Sequence, residues 1–194
     1  MHLTALLALF DESFGHEPHP GEAHIVHNNS GYDLEAVGIR EAFKAHTWQT
    51  LPVEVLLYEQ SALGFLSKAG FKYYLPAYLR LAVQQYEAAD MIPDNLVLAL
   101  TLPTEADIVL SALDIRRYDM DMDMPGVDWN DILQSRLRNL NQDTHDFIDR
   151  YRQFSPAQGL AIYQFLAFMR DEHGPDFLRK EPEIAIERYW FQFA

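Results

Sequence analysis

Cysteine is absent from this chain of 194 residues, and the absence narrows the chemistry that the protein can perform. Disulfides, thiolate nucleophiles and cysteine-bound metals or clusters are all excluded. A chain without disulfides fits a reducing compartment, so we expect a cytoplasmic protein.

Basic residues are scarce, since 15 Lys and Arg stand against 29 Asp and Glu, and the formal net charge is −14. An anionic chain is repelled by nucleic-acid phosphates and by anionic membrane surfaces. We therefore expect the protein to bind neither. Apolar runs long enough to span a bilayer are also missing. The apolar residues 1–10 lack the basic start of a signal peptide, which favours a first helix.

The common catalytic templates are missing as well. The sequence has no G-x-S-x-G motif, no phosphate-binding glycine loop and no dinucleotide-binding fingerprint. With 29 acidic residues, any two could be paired as a general acid and base, so such a pairing carries no information. These absences favour a protein that is not an enzyme, and no cofactor is predicted.

Hydrophobic residues are plentiful at 48%, enough for a full core in a single domain over residues 1–194. Apolar spacings of three and four predict helices. We expect them at about 3–14, 33–45, 53–67, 75–89, 104–113, 128–153, 155–173 and 176–191, whereas 96–102 fits helix or strand. The fold class is therefore an all-α bundle of six to eight helices, with irregular loops at about 15–32 and 114–127.

The clearest local signal starts the most apolar helix. Ser155 can cap it, Pro156 suits its first position, and Gln158 can reach back to the cap. The helix that follows is apolar on nearly every side, which places it at the centre of the bundle. Earlier in the chain, Gly70 is predicted to cap helix 53–67, and Pro76 moves the next helix start to near Leu75.

Two groups of polar residues contain the side chains that metals prefer. His16, His19, His24 and His27 fall in the loop at 15–32, yet their spacing matches no zinc pattern. Asp119, Asp121 and Asp123 alternate as in a calcium loop, but Met124 replaces the required glycine and Asn130 the final glutamate. A solvated loop explains each group better, and no metal site is predicted.

Large aromatic side chains cluster in one segment: Trp48, Phe65, Phe71, Tyr73, Tyr74 and Tyr78. Rings at helical spacing usually belong to the core. The same rings can line a ligand pocket, in which tyrosine hydroxyls orient polar ligands. The residues that we would assign to ligand binding are Trp48, Gln49, Tyr74 and Tyr78.

Three motifs carry a family resemblance. They are Trp48-Gln49-x-Leu51-Pro52, Gly70-Phe71-x-Tyr73-Tyr74-Leu75-Pro76-Ala77-Tyr78, and Phe154-Ser155-x-x-Gln158-x-x-Ala161-Ile162-x-x-Phe165-Leu166. Over about residues 35–170 the chain resembles a bacterial family of unknown function. The acidic loop at 119–126 and the helix after it look like departures from that family. The resemblance implies a helical, cytosolic bacterial protein and supplies no activity or substrate.

Two hypotheses about function follow. The first is a non-enzymatic interaction protein, with an inhibitor or immunity-type partner of a basic protein as its most specific form, because charge complementarity favours basic partners. The second is a small-molecule binder or enzyme whose pocket lies near the aromatic segment 48–78.

Overall fold

The computed structural model describes residues 1–117 and 128–194. Each segment predicted to be helical contains an α-helix. The α-helices within these residues are α1 (Leu3–Phe14), α2 (Leu34–Phe43), α3 (Val53–Tyr58), α4 (Lys68–Gln84), α5 (Ile92–Ala99), α6 (Glu105–Arg117), α7 (Trp129–Tyr151), α8 (Pro156–His173) and α9 (Glu181–Arg188). The described part contains no strand, only the isolated bridge of Val26 with Leu66. The all-α bundle is confirmed, with nine α-helices in residues 1–117 and 128–194 where six to eight were expected for the chain.

The chain divides into two compact units. The first consists of residues 1–101 and 153–194, and the second of residues 102–152. In the first unit, α8 contacts α1, α4 and α9, so the most apolar segment lies at the centre as predicted. In the second unit, α6 packs on α7. The single domain over residues 1–194 stays a prediction.

Helix α4 begins earlier than the sequence indicates. The Ser67 side chain caps it by accepting a hydrogen bond from the Gly70 amide at 3.0 Å. The predicted start near Leu75 and the role of Gly70 as a cap of the preceding helix were therefore wrong. Pro76 lies inside the helix, where it removes one backbone hydrogen bond. Twelve buried residues along α4 compensate for this loss through packing.

The loop at 15–32 is hydrogen-bonded to the residue before the start of α4. The Ser67 amide donates to the carbonyl of Ile25 at 2.9 Å, and Ile25 and Val26 are buried. Gly70 permits this approach, because a Cβ atom there would lie 2.0 Å from the Ile25 carbonyl oxygen. The loop is irregular apart from a short 3₁₀ turn at Glu22–His24.

Several helices differ in length from the predictions. Helix α3 stops at Tyr58 rather than near 67, because the Glu59 carbonyl accepts from the Tyr78 hydroxyl at 2.8 Å instead of continuing the helix. Helix α9 starts at Glu181 rather than near 176, because Lys180 adopts a left-handed conformation with φ of 58°. The ambiguous segment at 96–102 is largely helical, as part of α5.

The first four residues of the loop predicted at 114–127 are helical instead. Helix α6 runs to Arg117, past the predicted end near 113, and residues 118–127 lie outside the described part. At its start, the carboxylate of Asp107 accepts from the amide and hydroxyl of Thr104, both at 2.8 Å. None of the helices that the structure describes combines the length and apolar character needed to cross a bilayer.

Candidate functional site

The aromatic residues assigned to ligand binding lie mostly in the core. Trp48 is 2% exposed, and Tyr74 and Tyr78 are fully buried, whereas Gln49 is exposed in the turn before α3. The three rings therefore lie in the core of the first unit, and only Gln49 faces solvent. Their role in ligand binding stays a prediction.

The tyrosine hydroxyls of α4 bond to the backbone ends of neighbouring helices. Tyr74 lies within hydrogen-bond distance of the carbonyls of Phe43 (3.0 Å) and His46 (3.1 Å), just after α2. Tyr78 donates to the carbonyl of Glu59, just after α3. Burial raises the pKa of both hydroxyls, so they stay protonated and able to donate. These bonds satisfy carbonyls that helix ends leave open.

Trp48 makes a similar connection to α1. Its indole N–H donates to the carbonyl of Phe14 at 3.3 Å. The guanidinium of Arg80 lies 5.5 Å from the ring centre, and Asp11 accepts from the same guanidinium at 2.6 Å. The Arg80 Nε atom is buried with no hydrogen-bond partner among the described residues. A cation over an indole face is attracted by the ring quadrupole, so Arg80 ties α4 to both Trp48 and α1.

Two of the four loop histidines hold fixed tautomers. The Nδ1 atom of His19 accepts from the Gly21 amide at 3.0 Å, so its proton lies on Nε2, which is 2.9 Å from the Tyr74 hydroxyl. His27 has the opposite tautomer, because its Nδ1 lies 2.8 Å from the Phe65 carbonyl and must donate. Both rings therefore hold the loop at 15–32 in place through these hydrogen bonds.

The loop histidines do not form a group that could hold a metal ion. His16 and His24 are exposed. Across residues 1–117 and 128–194, no three His, Asp or Glu side chains come close enough to hold a metal ion. The acidic loop with Asp119, Asp121 and Asp123 lies outside the described residues.

Sequence reasoning missed a partly buried polar chain that joins three parts of the first unit. The Ser155–Gln158 capping box is confirmed in both directions. The Gln158 side chain, only 3% exposed, also donates to the carboxylate of Glu17 at 2.9 Å. The other oxygen of Glu17 pairs with Lys72 at 2.9 Å. Gln158 and Glu17 stand 141 positions apart, so the capping motif gave the only sequence signal.

A second feature that the sequence did not reveal is a group of carboxylates beside α5. Asp94 of α5 lies near Asp176, in a 3₁₀ turn, and Glu181, at the start of α9. Partial burial raises the pKa of Asp94, and the charges of Glu181 and Asp176 raise it further, while a backbone hydrogen bond opposes them. The charges of Asp176 and Glu181 therefore disfavour ionisation of Asp94.

An aromatic pair borders these carboxylates. The rings of Tyr86 and His173 stack with their centres 3.5 Å apart. Burial raises the pKa of Tyr86 to about 12, and its hydrogen bond to the Asp176 carboxylate adds to the shift. A neutral tyrosine at this position keeps donating to Asp176, which fixes that carboxylate in place.

Exposed apolar side chains flank Asp94 on the outer face of α5. Met91 is 53% exposed and Leu98 74% exposed, and they stand three positions before and four after Asp94. Residues at these spacings share one face of a helix. We call Met91, Asp94, Asn95 and Leu98 the α5 face. It offers apolar contact area beside concentrated negative charge, a combination suited to binding rather than to proton transfer.

Comparison with known proteins gives one result. Residues 27–120 match the model of a family of unknown function (DUF6714), and no curated protein or solved structure matches the chain. The match contains α2 to α6, with the aromatic segment and the α5 face. The third motif, at 154–166, lies beyond the match, and so does the part of the expected resemblance after residue 120. Over residues 27–120, the chain is therefore similar to this family of unknown function.

Proposed function

We propose that the protein is a non-enzymatic cytoplasmic interaction protein of a bacterium, and that it binds a basic protein through the α5 face. The observation that carries the proposal is that Met91 and Leu98 are exposed on either side of Asp94 on α5, which packs on α9, while the charges of Asp176 and Glu181 raise the pKa of Asp94. An inhibitor or immunity-type role fits such a surface, because these proteins act by covering a partner.

Electrostatics supports a basic partner. Lysine and arginine side chains would offset the charges of Asp176 and Glu181 and favour the charged form of Asp94. The net charge of −14 would also steer a basic protein toward the surface and speed encounter. The same charge repels phosphates, so nucleic acid is excluded from the proposal.

Apolar contacts would contribute binding free energy that charge alone does not give. Interfaces have apolar centres and polar rims, and salt screens the charges at the rim. Leu98 and Met91 would enter shallow apolar sites on the partner while Asp94 and Asn95 meet its polar groups. The bound surface of the partner should therefore carry both Lys or Arg and apolar side chains.

The test compares charge reversals at two places. The variant Asp94→Lys/Glu181→Lys removes the acidic group, and the matched control Glu12→Lys/Glu54→Lys makes the same change in net charge at exposed sites on α1 and α3. Affinity capture from a bacterial lysate should recover one specific basic protein with the wild type and the control at low salt. The α5-face variant should lose it.

Two results would refute the proposal. One is the recovery of no specific partner at any salt concentration. The other is equal loss in both variants, which would mean that net charge acts without a defined surface. Isothermal titration of the identified partner with Leu98→Asp then measures the apolar contribution.

The alternative is a small-molecule pocket at Trp48, Gln49, Tyr74 and Tyr78. Against it, the hydroxyls of Tyr74 and Tyr78 and the indole N–H of Trp48 already bond to backbone carbonyls, which a ligand would have to displace. A thermal-shift screen of metabolites with wild type and Gln49→Ala tests it. A ligand that stabilises only the wild type would favour this alternative.

A further inference from the structure

The α5 face has an apolar ridge along its middle, formed by Met91 and Leu98. Met91 precedes α5 in a helical conformation, and its carbonyl accepts from the Asn95 amide at 2.9 Å, so it continues the helical face. Met91 and Leu98 stand seven positions apart, which is about 10 Å along a helix. Both side chains are more than half exposed. This spacing is that of an apolar seam on which a second helix packs.

The first flank of this ridge is acidic. At about 100° of rotation per residue, Asp94 lies about 50° to one side of the ridge and Asn95 about 50° to the other. Helix α5 packs on α9, and the charges of Asp176 and Glu181 act on Asp94. A group that binds on this side of the ridge therefore meets concentrated negative charge.

The opposite flank consists mainly of amides. The Asn95 side chain donates to the Gln60 carbonyl at 3.3 Å, and the Gln60 side chain donates to the Asp90 carboxylate at 3.3 Å. The carboxylate on this side, that of Asp90, thus has an amide partner. Residues 81–115 contain no Lys or Arg, so α5 and the segments beside it in sequence supply no cation to either flank.

An amphipathic helix fits this pattern better than other forms of partner. An extended peptide adds to the edge of a sheet, and the described part of the chain contains no strand. A proline-rich segment needs a groove lined by aromatic rings, which the four residues of the α5 face lack. A second copy of the chain would bring another net charge of −14 to the contact, and a charge of this size opposes self-association.

We propose that the α5 face binds an amphipathic helix of the partner that carries Lys or Arg along one flank. Apolar residues of that helix meet Met91 and Leu98, its basic flank lies against Asp94, and neutral polar side chains lie against Asn95. This inference rests on the proposed function, because it names the part of the basic protein that the same surface would hold.

Selection from a displayed library of helical peptides tests the proposal without the natural partner. The peptides, of about 18 residues or five turns, carry two apolar positions seven residues apart and random residues on both flanks. Selection on the immobilised full-length chain should enrich Lys and Arg on one flank. Selection on Asp94→Lys should remove most of this enrichment, whereas the control Glu12→Lys, at an exposed site on α1, should retain it.

The most enriched peptide is then synthesised and titrated by isothermal calorimetry. Leu98→Asp and Asp94→Lys should each weaken its binding by roughly tenfold or more, because the first removes an apolar contact and the second replaces attraction with repulsion. Leu98→Met keeps an apolar side chain of similar volume and should bind within about twofold of the wild type. Circular dichroism of each variant checks that helix content is retained.

The proposal is overturned if no helical peptide is enriched, if Lys and Arg are enriched equally on both flanks, or if the peptide binds Leu98→Asp as tightly as the wild type. A wild-type dimer that Leu98→Asp dissociates also overturns it, because a second copy then occupies the ridge. If such a result accompanies capture of a natural partner that depends on Asp94 and Glu181, the proposed function stands and only the helical form of the contact is wrong.

Discussion

Helices α4 and α8 of the first unit and the α6–α7 hairpin of the second use apolar residues in opposite ways. Twelve of the seventeen residues of α4 and nine of the eighteen in α8 are buried. The described residues of 102–146 are helical over most of their length and bury none. Apolar content alone does not separate the two, since the hairpin also carries regularly spaced Ile and Leu.

The difference is in what each helix packs against. Helix α8 buries nine of its eighteen residues, and its neighbours α1, α4 and α9 all belong to its own unit. Helix α7 is strongly amphipathic and meets α6 on one side. We expect internal packing to stabilise the first unit more than it stabilises the hairpin. Substitutions matched between the units can test this.

The largest effect is expected from truncating a core ring. Phe165→Ala in α8 should lower the free energy of unfolding by about 4 kcal/mol, because Phe165 is fully buried and leaves a cavity. Leu140→Ala in α7 should cost only about 1 kcal/mol, because less apolar area returns to water. Urea denaturation at low protein concentration measures both. Equal losses would show that α7 is packed as firmly as α8.

A glycine pair gives the next largest contrast, with opposite signs. Gly70→Ala should destabilise by about 3 kcal/mol, because the new methyl group overlaps the backbone carbonyl of Ile25. Gly38→Ala in α2 has nothing within 4 Å and should stabilise by about 0.5 to 1 kcal/mol. Thermal denaturation of both variants measures the two changes in stability. A neutral Gly70→Ala would mean that the loop at 15–32 can leave α4 at little cost.

The sequence predicted much of the fold because hydrophobic period and capping are local. The all-α class, the capping box at Ser155 and the central place of α8 could all be read from neighbouring residues. The helix ends were predicted wrongly where residues distant in sequence determine the position of the end. The Tyr78 hydroxyl donates to the carbonyl of Glu59 at the end of α3. The close approach of the Ile25 carbonyl explains why the residue at position 70 inside α4 is a glycine.

The candidate site was harder to predict, for the same reason. Asp94 is far in sequence from the neighbouring residues Asp176 and Glu181, and no motif links it to them. The residues that the sequence did single out, Trp48, Tyr74 and Tyr78, were recognisable as large rings at helical spacing. Their backbone partners could not be known before the fold.

The caps of α8 and α7 extend the comparison to helix ends. Ser155→Ala should cost about 1 kcal/mol and Gln158→Ala about 2 kcal/mol, because Gln158 also satisfies Glu17 in a buried setting. Asp128 caps α7 through the Asn130 amide in an exposed setting, so Asp128→Ala should cost about 0.5 kcal/mol. The denaturant midpoints of the three variants measure these losses of stability. If neither change in α8 moves the midpoint, the capping account fails and Gln158 becomes a candidate for function.

The smallest expected effect concerns charge on the two surfaces. The folded state raises the pKa of Asp94, so it disfavours the ionised form. The stability linked to this group is fully present below the unfolded-state pKa and is lost as the pH rises through the folded-state pKa. At neutral pH the charge is therefore a cost. Asp94→Asn should raise stability by a few tenths of a kcal/mol, since solvent screens most of the repulsion.

The matched control is Asp143→Asn on the exposed hairpin. It should leave stability unchanged, because Asp143 is exposed. The gain from Asp94→Asn should shrink as the pH falls through the carboxyl range, since a protonated Asp94 resembles asparagine. Denaturant midpoints at several pH values follow both variants. A loss of stability in Asp94→Asn at neutral pH would mean that the carboxylate makes a favourable contact, and the α5 face would then be a structural feature rather than a surface that awaits a basic partner.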